Sequence, residues 1–414
     1  MSVESGPAPI PRSTVFAVIA ATTIGQVANV MGTAVFPVIA PNLAAELAVQ
    51  PALIGYQVSL IYLAATVMAP FLSSLIPRWG GCRMTQIGLA MCALAMTLSL
   101  VPSLFALAAA SILIGMATGV MTPASAHLLF RFSPPENRNF IFSLKQTGVP
   151  LAWMLMALIA PPITLAFGWR WALALILAMA VTMIAVLQPA RAGWDDDRAP
   201  HAAAKRTATG GFIVVWRHPV LRPLAIMSFW CSFVQLCFSS FTVTMLVEEA
   251  GYSLITAGLL VSLGHAAGVA GRIVWGWIAD ALKASLGVLR WINIVMVACC
   301  ALTAFVSPGW PVAAVALLFV VFGASAVGWN GIFIAEVARH SPHGQVGVAT
   351  GGAMVLNFGG IVAGPAIFAT VYGLTGSYTA TFGWLTLIAV LGLIYLQRTA
   401  AAARPRRLSD SVIE

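Results

Sequence analysis

Arg272 and His265 stand where a water-soluble protein would not place them. Arg272 lies in GRIVWGWIAD, residues 271–280, which closes an apolar run beginning near Leu254. His265 precedes it by seven residues, two helical turns away on nearly the same face. A guanidinium is a permanent, planar charge that grips carboxylates through paired N–H donors. An imidazole donates, accepts or takes up a proton near neutral pH. A third cation, Lys145 in FSLKQTGVP, lies a few residues inside another apolar run. From there its ammonium reaches either the membrane surface or a binding site.

Arg272 is eight residues before Asp280, the polar end of its run, so it sits ~12 Å deep at ~1.5 Å per residue. In a hydrocarbon core of ~30 Å this is close to the midplane. Asp and Glu are absent from the run interiors; Asp280 and Glu336 fall only at run ends. The counter-ion is therefore expected to be an anion from outside the chain, with backbone carbonyls or water as the other way to satisfy the charge.

Uncharged polar residues add a pattern. Thr22, Gln26, Asn29 and Thr33 share the spacing i, i+4, i+7, i+11 with Ser228, Ser232, Gln235 and Ser239. Each set is one helix face, and it must meet protein or water rather than lipid. The hydroxyls suit interhelical hydrogen bonds. Gln26, Asn29, Gln235 and Asn357 are expected to line a water-filled cavity. His127, near a run end, reads as structural. No nucleophile–base pair, metal cluster or phosphate loop is present, so neither an enzyme nor a cofactor is expected.

These side chains are carried by a chain made for lipid. Of 414 residues 60% are hydrophobic and 8% charged, where soluble domains carry roughly 25% charged residues. Twelve apolar runs can be marked, near 14–39, 53–76, 84–104, 106–130, 140–166, 171–190, 222–247, 254–279, 288–307, 311–335, 346–373 and 379–397. Each is about the length that crosses a bilayer as helix. The first is too long for a signal-peptide core. The six cysteines have no metal spacing.

The net charge of +9 lies in short loops, which makes it a topology signal and not a nucleic-acid footprint. Arg12, Arg78, Arg83, Arg131, Arg138, Lys205, Arg206, Lys283, Arg290, Arg339 and Arg404 all fall on one side. The other side holds Arg170 with Glu46, Glu248 and Glu249. The positive-inside rule puts both termini and the central linker in the cytoplasm. The expected organisation is a first six-helix half (1–190), a cytoplasmic linker (191–219) and a second six-helix half with a short tail (220–414). The linker run GWDDDR reads as solvated. IGMATGVMTPASAHLLFRFSP (114–134) aligns with FGASAVGWNGIFIAEVARHSP (322–342) at a constant offset of 208, pairing Gly115 with Gly323 and Arg131 with Arg339. Parallel six-helix repeats place a substrate between the halves near the midplane.

Over its whole length the sequence resembles the major facilitator superfamily, whose signature after the second span is a glycine, three residues, an aspartate, then basic residues around a glycine. SSLIPRWGGCR keeps Arg78, Gly80 and Arg83 but has Ser73 and Pro77 in place of the glycine and aspartate. The second copy, GWIAD, keeps Gly276 and Asp280. An arginine eight residues before that aspartate is similar to the monocarboxylate porters and oxalate:formate exchangers. In them it binds the substrate carboxylate, which the resemblance carries to Arg272. The oxalate exchangers also use a lysine in the eleventh span, where this chain offers Asn357. The expectation is an all-α, multi-pass, monomeric transporter of a bacterial-type inner membrane. It would carry a small organic anion, with a proton as candidate co-substrate. Efflux of uncharged, drug-like compounds, suggested by Trp153, Trp230, Trp275 and Trp329, is the alternative. A non-transporting receptor is a third reading.

The charge asymmetry is tested by single cysteines in a Cys-free background. Glu248→Cys should react with an impermeant thiol reagent from outside intact cells. Asp196→Cys should react only after the membrane is opened, and the converse pattern reverses the orientation.

Overall fold

The spacing of apolar and polar residues becomes twelve long helices in a computed structural model that describes residues 11–134, 141, 144–199, 210–342 and 345–403. All twelve are long and apolar enough to cross a membrane. In chain order they are α1 (Arg12–Leu47), α2 (Ile54–Ser73), α3 (Gly81–Ser99), α4 (Leu104–Phe132), α5 (Gly148–Phe167) and α6 (Trp169–Trp194). The second set is α7 (Leu221–Glu248), α8 (Leu254–Leu282), α9 (Ser285–Thr303), α10 (Val312–Ala326, resuming as Asn330–His340), α11 (Val346–Thr375) and α12 (Tyr378–Ala403). Among the described residues there is no strand.

The two sets pack alike. In the first, α1 lies on α5 and α6, α2 on α4, and α3 on α4 and α6; in the second, α7 lies on α11 and α12, α8 on α10, and α9 on α10 and α12. The aligned glycines show why. A Cβ at Gly115 would come 2.2 Å from the Ile61 carbonyl oxygen, and one at Gly323 would come 1.9 Å from that of Gly264. Each glycine lets the fourth helix of its half touch the backbone of the second. Lipid supplies no hydrophobic drive between helices, so such close approach is what holds them.

Carboxylates outside the apolar zone fasten each half. Away from the linker, Glu46 at the end of α1 accepts from Trp169 Nε1 (2.7 Å) and pairs with Arg170 at the start of α6. Glu249, just past α7, accepts the backbone N–H groups of Tyr378 and Thr379 at the start of α12. Glu249 is thus an N-terminal cap, satisfying donors that a helix leaves open, whereas Glu46 ties α1 to α6 through side chains.

The halves meet along α2 with α11, α5 with α8, and α1 with α7. Contact is tightest at the ends away from the linker. A Cβ at Gly55 would lie 2.3 Å from the Pro365 carbonyl, one at Gly258 would lie 2.3 Å from that of Ala157, and Tyr56 Oη is 2.8 Å from Thr370 Oγ1. Toward the linker the halves part around a cavity.

The linker differs from the sequence expectation. α6 runs on to Trp194, and Gly210–Arg217 is a short helix set on α11, where a Cβ at Gly211 would lie 2.4 Å from the Val348 carbonyl. The run GWDDDR is not simply solvated, because Asp195 is 2% exposed and Asp196 and Asp197 pair with Arg131. Arg138, Lys205, Arg206 and Arg404 lie outside the described residues.

Gly323→Ala should destabilise the detergent-solubilised protein by about 1–3 kcal/mol through overpacking. Gly276→Ala, where a Cβ meets nothing within 4 Å, should leave it unchanged. Thermal unfolding of the two variants side by side checks the packing assigned to the repeat glycine.

Candidate functional site

The cavity between the halves has a volume of about 1260 Å³. It reaches from Phe71 and Ser74 at the linker end of α2 to Trp153 and His265 deeper in the seam. Gln26, Asn29, Lys145, Gln235, His265 and Arg272 all line it. Asn357 does not, which corrects its expected place: it is 5% exposed, and its Nδ2 donates to Ser232 Oγ at 2.7 Å within the second half. A short amide opposite a serine of a neighbouring helix finds its partner across the helix contact. Sequence periodicity alone does not separate that case from cavity lining.

Arg272 projects from α8 toward a break in α10. The helix unwinds at Val327–Trp329, and the freed Val327 carbonyl accepts from Arg272 Nε at 3.1 Å. Arg272 Nη1 reaches across the seam to the Gln146 carbonyl at 3.3 Å. Two of the five guanidinium N–H groups are thus occupied by backbone oxygens, the carbonyl pairing that the sequence left open beside an external anion. The remaining donors have no protein acceptor among the described residues, and no Asp or Glu lines the cavity. Lys145 does not snorkel to the surface. It is 4% exposed, lines the cavity and has no carboxylate within ion-pair distance among the described residues.

His265 is 1% exposed, and neither ring nitrogen has a hydrogen-bond partner. Its ring stacks on Trp153 of the other half, centroids 5.7 Å apart at 22°, and touches Phe238 at 5.5 Å. His127, by contrast, sits at the linker end 2.8 Å from Asp197, as a structural partner should.

Hydrogen bonds settle which way two amides point. Thr118 donates to the Ile114 carbonyl, so its oxygen accepts from Asn29 Nδ2 at 2.9 Å, and Asn29 Oδ1 is left without a donor. The Trp329 indole is a donor only. It and Asn330 Nδ2 both donate to Gln235 Oε1, at 3.2 and 3.1 Å, which turns the Gln235 NH2 group away from them. The first half thus presents an acceptor and the second a donor.

Sequence reasoning missed the backbone contributors. The Val327 carbonyl is open to Arg272 because α10 is interrupted at Val327–Trp329, and a glycine two residues before an Asn-Gly pair (GWNG, 328–331) is a breaker signal that could have located it. The Gln146 carbonyl had no such signal.

A family model described as Major Facilitator Superfamily matches residues 22–365. The chain belongs to the major facilitator superfamily. Solved structures agree on the fold. A bacterial homologue of the human lysosomal transporter Spinster, in an inward-facing and occupied conformation, is 14% identical with a TM-score of 0.71, covering 96% of this chain and 98% of that one. A peptide transporter in complex with sulfate is 16% identical with a TM-score of 0.73 (93% and 94% covered). A POT family transporter in complex with 5-aminolevulinic acid is 14% identical with a TM-score of 0.71 (95% and 97%). No curated protein matches the sequence.

The superfamily signature takes an unusual form in the first half. Pro77 stands at the aspartate position, yet an aspartate sits on this turn, supplied by the linker. Asp195 accepts the backbone N–H groups of Cys82 and Arg83 at 2.7 and 2.9 Å, capping α3. Gly80 adopts φ +90, and a Cβ there would lie 2.2 Å from the Asp195 carboxyl carbon. The Arg83 side chain bonds Gln86, and Arg78 is exposed. Burial pushes the Asp195 carboxyl above the usual range, while the two backbone N–H groups pull it back. In the second copy Gly276 faces open space and Asp280 is exposed.

Asp195→Ala strands two backbone donors at a helix start, which costs about 1–2 kcal/mol. Thermal unfolding should show that loss, and Asp195→Asn, keeping one acceptor, should recover part of it. An unchanged midpoint for Asp195→Ala removes the capping role.

Proposed function

We propose that this member of the major facilitator superfamily is a secondary transporter for a small organic anion, a carboxylate, working by alternating access with Arg272 as the anion contact. One observation carries the reading: among the described residues the cavity between the halves is lined by Arg272 and Lys145 and by no carboxylate. A guanidinium near the midplane with unused donors costs at least a few kcal/mol on insertion scales. A bound carboxylate relieves that cost through paired, charge-assisted hydrogen bonds. The position of Arg272 relative to Asp280 supports the same class through the resemblance to carboxylate carriers.

With the linker and termini in the cytoplasm, the cavity opens inward. Rocking of the halves about the seam would open the other side. Proton coupling would fall to His265 or to the substrate's own carboxyl, since among the described residues no acid lines the cavity. Efflux of an uncharged aromatic compound has less support. Of Trp153, Trp230, Trp275 and Trp329 only Trp153 lines the cavity, and Trp275 and Trp329 spend their N–H groups within the second half.

The test is anion binding and uptake in proteoliposomes. Arg272→Ala should abolish both while the protein still inserts and folds. Arg272→Lys keeps the charge but loses the planar fork. Loss of one charge-assisted bond, about 1.5–3 kcal/mol, makes binding roughly ten- to hundredfold weaker. Wild-type anion binding by Arg272→Ala sinks the reading and returns efflux of an uncharged compound to first place.

A further inference from the structure

We infer that the carried anion bears two negative charges and that Lys145 is the residue that selects for the second one; the inference rests on the anion reading above. Lys145 belongs to the first half and Arg272 to the second. Arg272 Nη1 is 3.3 Å from the carbonyl of Gln146, the residue next to Lys145, so the chain brings its two membrane-depth cations together across the seam. Both line one cavity. Lys145 is 4% exposed, and among the described residues no carboxylate pairs with either cation.

The charge count then decides between ligands. Two cations lining one cavity repel each other, and the Lys145 ammonium, 4% exposed, is poorly hydrated. A singly charged anion bound to Arg272 neutralises one and leaves the buried ammonium uncompensated. A doubly charged anion neutralises both and bridges the halves. The other titratable groups lining the cavity are His265, which supplies no negative charge in either protonation state, and Tyr62, whose phenol is ordinarily neutral at pH 7. Arg272 suits a planar carboxylate or a phosphate through its fork, whereas Lys145 binds either as a point charge. The shared chemistry is therefore a small organic body carrying two negative charges, as a dicarboxylate or as a phosphate monoester.

The experiment is calorimetric titration of the purified full chain with matched acids of two to six carbons: succinate against butyrate, its homologues against theirs, and glycerol phosphate as the phosphate arm. At least one dianion should bind tenfold or more tightly than its monoanionic match, and the arm that does so names the source of the second charge. Lys145→Gln should remove that preference, weakening the dianion at least tenfold more than its monoanionic match; Lys145→Arg should retain it. Equal affinity of dianions and monoanions for the wild type overturns the inference and leaves the anion reading standing. So does a preference that persists in Lys145→Gln. A panel with no binder overturns both. If Lys145→Gln fails to fold, the wild-type pairs alone decide.

Discussion

Every polar group inside a bilayer must find its partner within the protein, and most of this structure follows from that requirement. Helices satisfy the backbone along their length. What remains is helix ends, breaks and polar side chains. Outside the apolar zone the starts of α12 and α3 are closed by Glu249 and Asp195. The break in α10, at Val327–Trp329, is filled by Arg272 Nε on the Val327 carbonyl. The arginine and the break thus answer each other. The same side chain retains donors for something else, because a fork with five N–H groups exceeds what two carbonyls can accept.

Composition and period made the twelve spans and the sixfold halves legible, since lipid tolerates few alternatives. The repeat was legible as well: Gly115 and Gly323 align in sequence and do the same work against α2 and α8. Gln26, Asn29 and Gln235 reached the cavity from their spacing alone, because a polar helix face has nowhere else to go. Asn357 failed because an amide one helix away from a serine is as well satisfied by it as by water. The DDD run failed for a related reason. Its charge suggested solvent, but the open N–H groups at the start of α3 are a stronger local demand for one of its carboxylates.

The linker aspartate also changes what the first-half signature means. In the pattern that the sequence resembles, an aspartate between the second and third spans precedes the basic residues. Here Pro77 removes it, and a residue more than a hundred positions later fills the turn, leaving a helix N-terminus capped. The pairing of Ala199 N–H with the Pro77 carbonyl at 2.7 Å draws the linker along the same turn. The constraint belongs to the exposed helix start and not to any one sequence position.

Strength of contact differs within and between the halves. Among the described residues every ion pair lies within one half or between a half and its linker; none crosses the seam. The contacts that do cross are small-residue packing at Gly55 and Gly258, the Tyr56–Thr370 hydroxyl pair, the Trp153–His265 stack and the Arg272–Gln146 bond. Surface-to-surface packing of small residues loses little when it slides or parts, because it holds no buried charge that separation would expose. Capped helix ends and ion pairs within a half lose more, since each leaves a polar group unsatisfied. Two bodies held firmly inside and loosely against each other are what a rocking mechanism needs. Among the described residues the polar contacts across their seam are few, and Arg272, the one charged group in them, also faces the cavity.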